Sequence, residues 1–183
     1  MKMKNYSPIT IIVIFVLAAV MPFVLKQYHL NMLTEIVIFA LYAVSYNLLL
    51  GYAGLLSFGH AAFFGLAAFA TAVSIIHIPG LSIWGAILIS LAVTTLAGFV
   101  LGGLLLRHKG AYFALLTLAF NSILYAIATK WHSVTGGDDG LSITRPDINV
   151  GFTTIPLASL TNFYYLTLIV LGAAIIFCWY FTK

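Results

Sequence analysis

Residues Asn47 to Ala72 read NLLLGYAGLLSFGHAAFFGLAAFATA, an apolar stretch broken by glycines and free of Asp, Glu, Lys and Arg. Outward from it, the same absence of charge holds from Ile36 to Leu106. A helix needs about 20 apolar residues to cross a bilayer, so this run is long enough for three crossings. The two connections between them are then uncharged as well. Loops in water usually carry charge, so these read as short, partly submerged joints in a membrane protein. Ser57, Gly59 and His60 make a polar, glycine-kinked segment at the centre of the stretch.

The whole chain agrees. Of its 183 residues, 63% are hydrophobic and 7% charged, against about 45–50% and about 25% in soluble domains. A soluble fold of this size cannot hide that much apolar surface. The small positive net charge bears on membrane orientation rather than on nucleic acid, for which there is no basic patch. The single cysteine, Cys178, excludes an intrachain disulfide and lies in an apolar run as a packing residue.

Six crossings are expected: Ile9–Leu25, Leu33–Leu50 with Glu35 at its outer end, Ser57–Ile76, Ile83–Leu106, Ala111–Thr129 and Asn162–Phe181. The first follows a basic start, MKMKNYSP, as a signal peptide does. Its apolar part exceeds the roughly 7–15 residues of a signal core, and no small-x-small site follows. It reads as a retained helix, with a secretory signal as the alternative. The fold class is thus all-α and polytopic, with one helix broken or re-entrant near residues 51–59. Basic residues concentrate on the cytoplasmic side. With the N-terminus inside, Lys2, Lys4, Arg107, Lys109 and Lys183 are cytoplasmic, and Lys26, Lys130 and Arg145 are outside. Trp84, Trp131, Trp179, Tyr28 and Tyr180 fall near helix ends, as an interfacial belt does. The one long hydrophilic stretch, Lys130–Thr161, contains TGGDDGL at Thr135–Leu141 and faces outside in this topology.

Gly51, Gly54, Gly59 and Gly65 admit two readings: close helix packing, or a broken helix lining a transport path. Ser57 and His60 stand three residues apart and share a face if the segment is helical. A serine hydrolase is disfavoured, because LLSFG is not a G-x-S-x-G elbow and no carboxylate is evident to orient the histidine. A helix-start cap or a pore-lining pair remains. Asn47, Thr94, Thr95, Thr117, Asn121 and Ser122 are polar residues within helices, there to bond between helices or to line a polar route. Gly98 and Gly102 form a G-x-x-x-G pair. RHKGA at 107–111 is a basic turn suited to anionic headgroups. TGGDDG reads as a tight turn, with a weak cation nest as the alternative. The sequence holds no G-x-x-x-x-G-K-[ST] loop, so ATP, if used, binds another chain. It holds no H-E-x-x-H and no Cys/His cluster, so neither a metal nor a cofactor is expected.

Three blocks, NLLLGYAGLLSFGHAAFFGLAAF, RHKGAYFALLTLAFNSILYAIA and WHSVTGGDDGLSI, strongly resemble the ABC-importer permeases for branched-chain amino acids, of the LivM type. The likeness runs from about Leu33 to Ile143. It implies a bacterial inner-membrane subunit that is not itself an enzyme. It also implies a sister permease, two ATPase subunits on the cytoplasmic side and a periplasmic binding protein that delivers leucine, isoleucine or valine. Urea, amides or other amino acids are the alternative cargo, and a non-transporting membrane scaffold is the alternative role. Carried over by motif, Ser57, Gly59, His60, Thr135, Gly136, Gly137 and Gly140 are the expected substrate-path residues, and Asn47 joins them as a polar residue within a helix. The resemblance also implies an arginine-rich loop that docks on the ATPase. Residues 1–183 are therefore read as a single permease domain that stops before that loop.

Overall fold

Because no lipid-exposed backbone can leave its N–H and C=O groups unpaired, a chain this apolar folds as helices. The computed structural model describes residues 8–107, 110–150 and 153–181. The helices are α1 (Pro8–Val24), α2 (Gln27–Gly51), α3 (His60–His77), α4 (Ile83–Leu105), α5 (Ala111–Lys130), the single turn α6 (His132–Thr135) and α7 (Leu160–Phe181). Among the described residues, five of them, α2 to α5 and α7, are long and apolar enough to cross a membrane. The shorter α1 completes an all-α, polytopic membrane protein. Large apolar side chains point outward along these helices, with Phe99 82% exposed and Leu96 65%. That surface would be untenable in water and is what lipid requires. Trp84, Trp131, Trp179, Tyr28 and Tyr180 are all exposed at or near helix ends, where the interfacial belt was expected.

Two boundaries differ from the sequence reading by more than two residues. Helix α2 begins at Gln27 rather than Leu33, which puts Glu35 two turns inside it. There its carboxylate accepts a hydrogen bond from Asn31 one turn earlier, at 3.3 Å. Helix α3 begins at His60 rather than Ser57. Residues 52–59 are non-helical, and Gly54 takes a positive φ of 66°. The hydrophilic stretch after α5 is also more ordered than a loop. It holds α6, a 3-10 turn at Gly137–Asp139 and two short antiparallel strands, β1 (Ile148–Val150) and β2 (Thr153–Ile155), with Ile148 opposite Ile155. In RHKGA, His108 and Lys109 lie outside the described residues. So do Lys2, Lys4 and Lys183, which bear on orientation.

The helices fall into two units, one of residues up to Tyr52 with Leu157 onward, the other Ala53–Pro156. In the first, Leu30 and Val37 of α2 pack against Tyr164, Leu168 and Leu171 of α7. Helix α1 joins through a specific device. Pro22 lies inside α1 and has no N–H, so the carbonyl four residues earlier, on Ala18, lacks its helical donor. The hydroxyl of Tyr164, itself fully buried, donates to that carbonyl at 2.7 Å. Tyr165 donates to the next one, on Ala19, at 3.0 Å.

In the second unit, α3 and α4 pack side by side, and Ser90 of α4 donates to the Ala67 carbonyl of α3 at 2.8 Å. Thr94, expected to bond between helices, instead bonds back to Ser90 and Leu91 of its own helix. Ser122 does the same with Leu118. The Gly98–Gly102 pair draws no backbone close: a Cβ on Gly98 would stand at an ordinary 3.7 Å from Phe63. Helix α4 starts cleanly because Ser82 caps it, its hydroxyl accepting from the Gly85 N–H at 3.2 Å.

Candidate functional site: an apolar cavity walled by α3, α4 and α5

The expected site residues fall in three places. Asn47 lies in α2, in the first unit, its amide oxygen 3.0 Å from where a Cβ on Gly51 would be. Ser57, Gly59 and His60 stand at the entry to α3. Thr135, Gly136, Gly137 and Gly140 stand in the turn after α5.

At the entry to α3, the chain is pressed against α5. The Phe58 N–H donates to the Thr117 hydroxyl at 3.1 Å, and that hydroxyl donates to the Ala114 carbonyl of its own helix at 2.8 Å. Gly59 follows, and a Cβ there would lie 2.6 Å from the Thr117 carbonyl oxygen. Only glycine admits so close an approach. Ser57 is buried, and its hydroxyl accepts the Gly59 N–H at 3.3 Å. Because Ser57 precedes the helix, its three-residue spacing from His60 does not put the two on one helical face. Half-buried His60 is the first residue of α3.

The turn after α5 is held by Thr135. Its buried hydroxyl donates toward the carbonyls of Ala128 at 2.5 Å and Trp131 at 2.8 Å, and accepts the Gly137 N–H at 3.3 Å. Gly136, Gly137 and Gly140 all take positive φ, 73°, 63° and 69°. This is the tight turn that TGGDDG reads as, with Asp138 and Asp139 exposed on a single 3-10 turn. A Cβ on Gly136 would also run into the Gly140 carbonyl. Gly136→Ala is therefore expected to destabilise this unit by about 2 kcal/mol, from left-handed strain plus the clash. Faster proteolysis within residues 132–141 checks it.

Between these two ends lies a cavity of about 550 Å³. Ala61, Gly65, Phe69 and Val73 of α3, Ile89 and Val93 of α4, and Leu124 and Ile127 of α5 form much of its apolar wall. Ser74, Asn121, Tyr125, Trp131 and Thr135 also line it, and no charged residue does. Its size is that of ordinary small-molecule sites, about 300–1,000 Å³. Of the expected residues in this unit, Thr135 lines the cavity. The lining begins at Ala61, one residue after His60, and the turn glycines lie just beyond Thr135. Two side chains carry more here than the sequence reading assigned them. Thr117 is named there only as a polar helix residue, and its partner, Phe58, is 59 residues away. Asn121 is named there only among polar residues that bond between helices or line a polar route, and its amide midway along a mostly apolar helix was the available signal.

The family profile described as "Branched-chain amino acid transport system / permease component" matches residues 28–183. The chain is 30% identical to the high-affinity branched-chain amino acid transport system permease protein LivM of Escherichia coli (strain K12) over 139 residues, which are 75% of this chain and 32% of that protein. It is also 30% identical to the LivM of Salmonella typhimurium (strain LT2) over 136 residues, 74% of this chain and 32% of that protein. The chain thus aligns with about a third of the length of these curated relatives. No solved structure matches it. The profile match over most of the chain, on a set of membrane-length apolar helices, makes this protein a multi-pass membrane member of the permease family of branched-chain amino acid transport systems.

Proposed function

We propose that this chain forms part of the translocation path of an ATP-driven importer for leucine, isoleucine and valine. The carrying observation is the uncharged, mostly apolar cavity beside the signature stretch, whose Leu, Ile, Val and Phe walls suit an aliphatic side chain. A permease for urea or small amides would call for denser hydrogen-bonding groups along the path, since such solutes have no aliphatic body to bury. The names of the bacterial relatives support the substrate class. In this reading ATP hydrolysis falls to separate ATPase subunits, which the lack of a phosphate-binding loop among residues 1–183 supports. A sister permease and a periplasmic binding protein complete the proposed assembly, in a bacterial inner membrane with the N-terminus cytoplasmic.

Within that reading, residues 1–183 act as one permease domain, and Asn47, Ser57, Gly59, His60, Thr135, Gly136, Gly137 and Gly140 serve the path. Thr135 serves as wall. Ser57 and Gly59 set the start of α3 against α5, beside His60, and the turn glycines shape the end near Thr135. Cargo moves as partner ATPases close and release, opening the cavity alternately to each side.

The test is uptake of labelled leucine by cells that carry this chain with its partner subunits and lack other leucine uptake. A Cβ on Gly65 meets nothing within 4 Å, so Gly65→Trp directs its ring into open space rather than into backbone. Gly65→Trp is expected to cut uptake at least about tenfold at equal expression, and His60→Ala to lower it severalfold. Unchanged uptake in Gly65→Trp removes the cavity from the mechanism.

A further inference from the structure

Asn121 sits midway along α5, and Leu124, Tyr125 and Ala128 follow it at spacings of three, four and seven residues. These positions share one helix face, and all four line the cavity. Asn121 is half-buried. The cavity's two buried hydroxyls are committed, Ser74 donating to the Ala70 carbonyl of its own helix and Thr135 holding the turn, while Tyr125 and Trp131 are exposed. The Asn121 carboxamide makes no hydrogen bond among the described residues. A carboxamide carries two N–H donors and a carbonyl acceptor. At membrane depth an amide without a protein partner is left available to bond whatever enters the cavity.

We propose that Asn121 is the specificity-determining residue of this cavity, its amide bonding the polar end of a net-neutral amino acid whose aliphatic end meets the apolar walls. This rests on the reading of the cavity as the substrate site. The amide can accept from an ammonium and donate to a carboxylate, so one side chain serves both ends of a zwitterion. The lining holds no ionised partner. A solute with net charge leaves that charge uncompensated in a low-dielectric space. In a zwitterion the two adjacent charges offset each other. The cavity therefore discriminates by net charge as well as by shape.

Three solutes with the same aliphatic body separate these effects: leucine, leucinamide and 4-methylpentanoate. At about pH 6, below the α-amino pKa of about 8, they are net neutral, positive and negative. Binding of labelled leucine to the purified full chain in detergent micelles is measured, with each of the three as competitor. The wild type is expected to prefer leucine at least about tenfold over both charged analogues. Asn121→Ala is expected to weaken leucine about tenfold and to lose most of that preference, and Asn121→Gln to keep part of it. The preference ratio is a readout that a purely structural role would leave unmoved. Because Asn121 bonds no described residue, Asn121→Ala is expected to fold, as helical circular dichroism checks. If Asn121→Ala keeps both affinity and ratio while Gly65→Trp abolishes binding, the role of Asn121 is overturned and the cavity reading stands. If Gly65→Trp binds leucine as the wild type does, or the wild type binds none, the cavity reading fails and takes Asn121 with it.

Discussion

Gly59→Ala is expected to destabilise the unit Ala53–Pro156 by about 3 kcal/mol, at the upper end of the usual range for overpacking. The added methyl would stand 2.6 Å from the Thr117 carbonyl oxygen. That atom is helical backbone and cannot rotate aside as a side chain can. Relief requires α3 to shift from α5, which breaks the Phe58–Thr117 hydrogen bond and moves Ala61 and Ala62 in the cavity wall. Trimming the neighbour does not help: Thr117→Ala removes the Cγ and hydroxyl but leaves the carbonyl in place. Gly65→Ala, inside α3, is the matched control. Nothing lies within 4 Å of its added Cβ, so helix propensity makes the change neutral or stabilising by up to about 1 kcal/mol. Unfolding in mixed detergent micelles compares the two. Equal stability of Gly59→Ala and the wild type would mean that the close approach of the two segments does not exist.

The second large effect concerns α1 and α7. Tyr164→Phe is expected to destabilise the protein by about 2 kcal/mol, the cost of leaving a half-buried carbonyl at membrane depth without a donor. Hydrogen bonds between membrane helices average only about 0.6 kcal/mol, because the separated state finds other partners. Here the helix itself offers none: the N–H that would reach the Ala18 carbonyl belongs to position 22, which is proline. The test is a double-mutant cycle. Pro22→Ala restores an N–H to that carbonyl, so Tyr164→Phe made in the Pro22→Ala background should cost only about 0.5 kcal/mol. The coupling is then about 1.5 kcal/mol. Tyr165→Phe serves as the contrast, since the residue four beyond Ala19 is Phe23, which keeps its N–H, and a loss near 0.6 kcal/mol is expected. Additive effects of Tyr164→Phe and Pro22→Ala would show that the tyrosine does not stand in for the missing amide.

How much of this was legible in the sequence depends on the range of the interaction. The existence and type of every long helix followed from the solvent. An uncharged apolar run of about 20 residues in lipid has no alternative to a helix, and a helix appears at each of the six expected places, five of them long enough to cross. Their ends were less legible. Glu35 reads as lying at the outer end of its helix, yet in α2 it bonds Asn31 and the helix begins two turns before it. Ser57 reads as a helix start, yet its hydroxyl turns to the Gly59 N–H and the helix waits for His60. The glycines at 136, 137 and 140 announced a turn correctly, because positive φ is a local demand. The blocks of residues that carry the family likeness were also plain in the sequence.

What remained hidden are the partners. The amide of Phe58 meets the hydroxyl of Thr117, 59 residues away, and the hydroxyl of Tyr164 meets the carbonyl of Ala18, 146 residues away. No periodicity marks such pairs. Each is a single donor finding a single acceptor after the helices have packed, and Thr94, Thr117 and Asn121 look alike along the chain. Only the packed structure shows that Thr94 bonds to its own helix, Thr117 fastens another segment and Asn121 is left unbonded on a cavity wall. Sequence alone determined the medium, the helices and the turn chemistry, because these are set by composition and by neighbours within about one turn. Tertiary structure alone decided which polar groups are committed and which are free for a ligand, because that depends on what a distant helix brings to them.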